Sequence, residues 1–155
     1  MADYVKPVVF KVSDFYYGVD INLVQAIEEK ASVVPVPNSV EFITGIINLR
    51  GEVIPVLSLN KKFGVENPKP ASNMIIVNVK DTNVALEVDS VVEIGDLTAT
   101  DIVKMPILVT NKDNSFMDRV ARIKDQLVVL LDTYKLFSED ELSGLKKMKE
   151  DLNKD

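Results

Sequence analysis

The sequence predicts a mainly β protein made of two related modules and ending in a helix. Three observations carry this prediction. Val8, Phe10 and Val12 begin a series of segments in which apolar residues alternate, as they do in half-buried strands. The apolar pattern of one long block recurs later in the chain, and a helix-start signature occurs near the C-terminus. With 155 residues, of which 46% are hydrophobic and 27% charged, the chain can bury a core.

Turn residues separate the alternating segments, so most of these segments are predicted to pair as hairpins. In the clearest hairpin, 43–49 pairs with 52–57, Gly51 supplies the positive φ of a tight turn and Arg50 projects from the tip. Pro55 lacks an N–H, which predicts that its strand is locally an edge or bulged. The other predicted strands are 8–12, 16–20, 26–29, 74–79, 84–88, 119–123 and 126–131, with one helical turn at 22–25.

An internal repeat organises the chain. The block 42–63 is matched by 116–137, with Phe, Leu, Lys and Phe at equivalent places and a similar apolar pattern between them. Three matched blocks in the same order favour duplication over chance similarity between β-rich segments. The other two matches, at nearly the same offset, are 17–27 with 84–94 and 36–37 with 105–106.

Duplication predicts a first subdomain at 1–66, a second at 67–137 and a terminal helix within 138–155. The Pro-rich stretch 67–70 is the predicted join, because proline disfavours both strand and helix. Ser138 and Glu141 have the spacing of a capping box, so the helix should begin at about Glu139. Its apolar stripe is predicted to dock on the second module, with partner binding as the alternative; the stripe consists of Leu142, Leu145, Met148 and Leu152.

Missing residue types exclude several kinds of chemistry. The chain has no His, no Cys and no Trp, which excludes a Ser-His-Asp triad, a thiol nucleophile, disulfides and the usual zinc sites. No cofactor or metal is predicted. Enzymes that use only carboxylates, lysine, serine or Mg²⁺ are left open. Glu87 and Asp89 lie two apart on one predicted strand and could pair, so a carboxylate-based hydrolase is an alternative function.

Charge and apolar runs narrow the choice of partners and compartment. The net charge is −6 and is evenly spread, so no basic patch favours nucleic acid or anionic lipid. Residues 1–7 lack the apolar region of a secretory signal. The densest later apolar run, 127–131, is far shorter than the roughly 20 residues of a membrane span. A cytoplasmic protein without direct membrane insertion is expected.

The central block carries a specific resemblance. Residues 42–57, with Asn48-Leu49-Arg50-Gly51 at their centre, resemble the hallmark segment of the CheW family of bacterial chemotaxis coupling proteins. The resemblance covers about residues 8–137. Supporting motifs occur in the family's order: Tyr17-Gly18-Val19-Asp20-Ile21, Val24-Gln25, Val36-Pro37-Asn38, Phe63-Gly64, Val88-Asp89-Ser90-Val91 and Leu130-Leu131-Asp132.

This resemblance implies two five-stranded β-barrel subdomains of the Src-homology type and no catalytic activity. It implies that the protein couples the cytoplasmic tips of methyl-accepting chemoreceptors to the regulatory domain of the histidine kinase CheA, within receptor arrays at the inner membrane. A kinase regulatory domain, a coupling–receiver fusion and a CheW-like module of another two-component pathway share these motifs and are the alternatives. Two positions depart from the family's pattern: Asp118-Arg119 replaces a common Thr-Gly, and Lys124-Asp125 replaces a Gly-containing turn.

The resemblance also implies site residues. The receptor-facing groove should include Val24, Gly45, Arg50, Gly51, Ile75 and Ile94. The kinase contact should include Val84, Ile107 and Leu108, the last two within the apolar loop 105–109. For the apolar residues in the groove the alternative is a place in the core, and for the glycines it is backbone geometry. For Arg50 the alternative is a surface salt bridge.

Overall fold

The computed structural model describes residues 4–37, 42–98, 101–104 and 115–152, and the elements below refer to these ranges. They comprise thirteen strands and two α-helices, so the predicted mainly β fold with a C-terminal helix is confirmed. In chain order the elements are β1 (Tyr4–Val5), β2 (Pro7–Val12), β3 (Phe15–Asp20), β4 (Val24–Glu29), β5 (Ile43–Leu49), β6 (Glu52–Ser58), α1 (Leu59–Lys62), β7 (Asn73–Val79), β8 (Thr82–Val88), β9 (Ser90–Ile94), β10 (Leu97–Thr98), β11 (Ile102–Lys104), β12 (Met117–Ile123), β13 (Gln126–Leu131) and α2 (Glu139–Leu152).

The strands form two main sheets. One has five strands in the order β4-β7-β8-β6-β5, and the other has six in the order β11-β12-β13-β3-β2-β9. In the described ranges, the two edge strands of each sheet do not pair with each other, so the predicted barrels are present as two small open sheets. A bridge between Val34 and Ile46 extends the five-stranded sheet beyond β5.

The sheets do not follow the order of the chain. Strands β2 and β3 join the six-stranded sheet, whose other strands come from the second half of the chain. Two parallel contacts connect the halves: β6 runs beside β8, and β13 runs beside β3. Both sheets therefore take strands from each side of the predicted boundary between 1–66 and 67–137. The boundary stays a prediction, and it concerns the repeat units and not the sheets.

A main core lies between the two sheets, and each sheet carries a smaller core on its other face. Because successive side chains of a strand alternate in direction, Val8 and Phe10 enter the main core whereas Val9 enters the smaller core of the six-stranded sheet. Ile54 and Ile76 belong to the corresponding small core of the five-stranded sheet. Strands in the middle of each sheet are consequently buried on both faces.

Four tight turns place two successive residues at positive φ, as the favoured two-residue hairpin turns require. Only one of these turns contains glycine. Its φ values are 51° at Arg50 and 87° at Gly51. Arg50 therefore also adopts the left-handed conformation, which was predicted for Gly51 alone. The other turns are Ser13-Asp14, Lys80-Asp81 and Lys124-Asp125. The last shows that the final hairpin forms without the family's glycine.

Pro55 lies in a strand inside the sheet, between β5 and β8. Pairing with β8 begins only at Val56, so Pro55 faces a neighbouring strand on the β5 side alone. Pro55 therefore lies at a local edge on the β8 side only, because the N–H that proline lacks is not needed for pairing of β6 with β8.

The terminal helix begins at Glu139, as predicted. The Ser138 N–H donates to Glu141 Oε1 at 2.8 Å and the Glu141 N–H donates to Ser138 Oγ at 3.1 Å, which completes the capping box. Leu142 and Leu145 enter the main core. The helix lies against β6, in the first half of the chain, so the predicted docking on the second module is wrong. Phe137 fixes this position by packing on Phe42 with ring centroids 5.8 Å apart.

Among the described residues, the structure contains no helix that is both long enough and apolar enough to span a membrane.

Candidate functional site

Arg50 occupies the tip of the β5–β6 hairpin. The Gly51 N–H donates to Asn48 Oδ1 at 3.0 Å, a bond that closes the turn from inside the hairpin. The Arg50 side chain is 73% exposed, and its Nη2 donates to Glu28 Oε1 at 2.9 Å. The surface salt bridge considered as an alternative role for Arg50 is therefore present.

The Arg50–Glu28 ion pair connects the two edges of the five-stranded sheet, because Glu28 lies on β4 and Arg50 follows β5. The sheet must curl for these edges to meet. An exposed ion pair of this kind stabilises a fold by only about 0.2–1 kcal/mol. Its main effect here is to hold the guanidinium in position while most of its surface stays open to solvent.

A groove of about 240 Å³ opens beside this guanidinium. Its deepest side chains, Ile54 and Ile76, belong to the small core of the five-stranded sheet. On its rim Asn83 Nδ2 donates to Glu52 Oε1 at 3.2 Å. An apolar floor with a polar, charged rim is the usual composition of a small protein-interaction pocket. We call it the Arg50 groove; it is lined by Gln25, Ala26, Leu49, Arg50, Glu52, Ile54, Ile76 and Asn83.

The other predicted receptor residues are distributed unevenly around this groove. Gly51 is in the same turn, and Val24 is half-buried next to the groove residue Gln25. Gly45 is buried, and a Cβ there would collide with the Val34 carbonyl, so its role is close backbone approach. Ile75 is fully buried in the main core. Ile94 is 54% exposed but lies on β9 of the other sheet, away from Arg50.

The predicted kinase residues give no exposed site among the described residues. Val84 is fully buried in the main core, because β8 lies inside its sheet. Ile107 and Leu108, with the loop around them, lie outside the residues that the structure describes.

The sequence did not reveal an exposed apolar patch on the six-stranded sheet. Phe15, Leu127 and Val103 are large apolar side chains with well-exposed surfaces. The parallel register of β13 and β3 pairs Val128 with Tyr16, so Leu127 and Phe15 are neighbours at the start of these strands. Leu127 lies in the continuous apolar run 127–131, and such a run is typical of core residues. The exposure of the three residues becomes visible only when the order of the strands in the sheet is known.

The two carboxylates considered for hydrolysis have separate partners. Asp89 accepts from the Ser13 N–H at 2.8 Å and from Asn60 Nδ2 at 3.1 Å, and these bonds connect β8 to the first hairpin and to α1. Glu87 instead contacts Thr44 and Lys30. In the described part of the chain, no group of three acidic side chains has an arrangement suited to a metal ion.

The shifted pKa values lie away from the Arg50 groove. A hydrogen bond from Lys69 lowers the pKa of Asp14, and the same bond raises the pKa of Lys69. Burial raises the pKa of Tyr17, whose ring packs on Phe63 with centroids 4.7 Å apart. The ion pair between Lys69 and Asp14 links the predicted join at 67–70 to the β2–β3 turn.

Comparison with known proteins agrees with this architecture. Residues 6–141 match the sequence family described as the CheW-like domain. The chain is 29% identical over 144 residues to Chemotaxis protein CheW of Treponema pallidum, covering 89% of this chain and 85% of that protein. It is 28% identical over 134 residues to Chemotaxis protein CheW of Thermotoga maritima, covering 84% and 85%.

A solved structure shows the same fold. The crystal structure of scaffolding protein TtCheW from Thermoanaerobacter tengcongensis superposes with a TM-score of 0.78 and 34% sequence identity. The match covers 88% of this chain and 90% of that one. Since the family match also spans most of the sequence, the chain belongs to the CheW-like domain family.

Proposed function

We propose that this chain is a non-enzymatic chemotaxis scaffold that couples chemoreceptor tips to the regulatory domain of the histidine kinase CheA. The names of its relatives, Chemotaxis protein CheW and scaffolding protein TtCheW, support the scaffold role. The observation that carries the coupling role is the exposed guanidinium of Arg50 beside a groove with a polar, charged rim. Its place of action is the cytoplasm, beside receptor arrays at the inner membrane.

In this proposal Arg50 binds the receptor. Receptor tips in this family are helical hairpins, which present carboxylates and terminal backbone carbonyls. A guanidinium offers five donors in a planar fork that matches such acceptors. The floor formed by Ile54 and Ile76 accepts an apolar side chain of the same helix. Gly45 and Gly51 shape the hairpin, and Val24 contributes the edge of β4 beside the groove.

The exposed apolar patch is proposed as part of the kinase-binding surface, together with the predicted Ile107 and Leu108. Phe15, Leu127 and Val103 leave apolar area in water that a partner would bury. Val84 and Ile75, having no exposed surface, support the two sites only through packing. Ile94 is proposed to make a separate receptor contact from the other sheet.

The test uses Arg50→Glu and Leu127→Lys as a matched pair. Arg50→Glu should weaken binding of a chemoreceptor-tip fragment by about 2 kcal/mol or more, since it replaces a favourable charge with a like charge. It should leave binding of the CheA regulatory domain unchanged and lower the free energy of unfolding by no more than about 1 kcal/mol. Leu127→Lys should show the reverse selectivity. Isothermal titration calorimetry measures each affinity, and chemical denaturation measures each stability.

A charge swap separates the partner contact from the internal ion pair. The double variant Arg50→Glu, Glu28→Arg restores a salt bridge across the sheet edges without restoring Arg50. Receptor binding should stay weak in the double variant. Recovery of wild-type affinity would show that the ion pair is what matters, and normal receptor binding by Arg50→Glu would overturn the proposed role of Arg50.

A further inference from the structure

A buried carboxylate lies on the central strand of the five-stranded sheet. Glu87 is on β8 opposite Ser58, the last residue of β6, whereas Arg50 precedes the first residue of β6. Glu28, the ion-pair partner of Arg50, and Glu87 both face Met74, from the two strands that flank β7. A groove of about 610 Å³ opens above Glu87; we call it the Glu87 groove, and it is lined by Lys30, Ala31, Ser32, Val33, Pro35, Thr44 and Glu87.

The Glu87 carboxylate has fewer close partners than its burial demands. Its side chain is only 11% exposed. Thr44 Oγ1 lies 3.4 Å from one oxygen, and Lys30 Nζ lies 3.9 Å from the other. Charge-assisted hydrogen bonds are normally about 2.7–2.9 Å long, and a carboxylate can accept about four. Among the described residues, therefore, Glu87 retains acceptor capacity directed into an open groove.

The Lys30 side chain does not fill the groove. Lys30 remains 44% exposed while its ammonium stays beyond hydrogen-bonding distance of Glu87. One wall is apolar, because Val33 packs on the small core and Pro35 is exposed beside it, whereas Ser32 and Thr44 are polar. An apolar wall above an anionic floor fits a long basic side chain, whose methylene stem lies on the wall while its charged head meets the carboxylate.

We infer that the Glu87 groove binds a guanidinium group, supplied by an arginine side chain of a partner protein. Arginine is favoured over lysine because its planar fork can bond both carboxylate oxygens at once, whereas an ammonium acts as a point charge. Lys30 is a tethered competitor that a guanidinium displaces toward solvent. This site is distinct from the proposed receptor contact, because the two grooves share no lining residue.

The experiment is an NMR titration of the full chain with n-propylguanidinium chloride, using n-butylammonium chloride, which carries the head group of lysine, and sodium chloride as controls. The guanidinium should cause saturable amide shifts at Ala31, Val33 and Thr44. The ammonium should bind at least fivefold more weakly, and sodium chloride should cause no saturable shift. Diffuse shifts without saturation, or equal binding of both organic cations, would overturn the proposal.

Three variants test the assigned atoms. Glu87→Gln removes the charge at nearly constant shape and should weaken guanidinium binding at least tenfold. Lys30→Met removes the competitor and should strengthen binding threefold or more. Ser143→Ala, an exposed change on α2, should leave it unchanged. Unaltered affinity in Glu87→Gln would show that the groove recognises only the apolar group. If Glu87→Gln does not fold, Lys30→Met decides: affinity equal to or weaker than wild type overturns the proposal.

Discussion

At the scale of single residues, Gly45 shows how one absent Cβ shapes the sheet. Val34 and Ile46 exchange two backbone hydrogen bonds of 2.9 Å, which bring the segment after β4 against β5. A Cβ on Gly45 would overlap the Val34 carbonyl and also press on Val33. Only glycine therefore permits this crossing, and the crossing in turn supplies the wall of the Glu87 groove.

Replacing Gly45 by Ala should lower the free energy of unfolding by about 2–3 kcal/mol, since overpacking against backbone cannot be relieved by a rotamer change. Urea denaturation measures the loss. The control is Gly51→Ala, where a Cβ meets open space and only the φ of 87° resists substitution. That change should cost about 1 kcal/mol. A larger loss in Gly51→Ala than in Gly45→Ala would contradict the close-approach explanation.

Residue roles were only partly predictable from sequence. The exposure of Arg50 followed from its place at a hairpin tip. Its partner Glu28 did not, because their contact depends on how far the sheet curls. Ile75 and Val84 were assigned to partner surfaces, yet both are core, because β7 and β8 are covered on both faces and periodicity marks no exposed side there.

At the scale of elements, the capping box sets the start of α2. Ser138→Ala should destabilise the protein by about 1 kcal/mol, because it removes the acceptor of the Glu141 N–H and frees the first turn. Thermal unfolding followed by circular dichroism measures this change. Ser143, exposed on the same helix, is the matched control. Ser143→Ala should be neutral or slightly stabilising, as alanine is the better helix former. Equal losses in both variants would rule out a specific capping effect.

Most strands and the terminal helix could be predicted from the sequence. Turn residues and alternation located the hairpins, and the capping box located the helix. The Lys124-Asp125 turn was harder to predict, because both residues take positive φ without glycine. Asp tolerates this conformation better than most residues, and that was the available signal. The docking position of α2 could not be predicted, since an apolar stripe does not specify which strand it will cover.

At the scale of the whole molecule, the two repeat units exchange strands. In the first unit, β2 pairs with β9, β3 with β13, β4 with β7 and β6 with β8, and each of these partners lies in the second unit. The repeat was visible in the sequence. The exchange was not, because strand pairing between distant segments leaves no local pattern.

This exchange predicts that neither half folds alone. Fragments 1–66 and 67–155 should each lack the dispersed amide NMR spectrum of a folded protein, since the four strands named above in each fragment would lose a neighbouring strand and the main core would be divided. Mixed in equal amounts, they should assemble into a one-to-one complex with the spectrum of the intact chain. A folded monomer formed by either fragment alone would contradict this prediction.

The strand exchange also has a mechanical consequence. Two bodies joined by one linker would move as if on a hinge, whereas these two sheets take strands from both repeat units and pack on one shared core. The connecting stretch is itself fastened, since Ser72 is hydrogen-bonded to both Lys30 and Val88 and Lys69 bonds Asp14 at 2.9 Å. Because the sheets share this core, a partner bound at the Arg50 end of one sheet should turn both sheets together. An orientation imposed on one sheet should then be transmitted to the other.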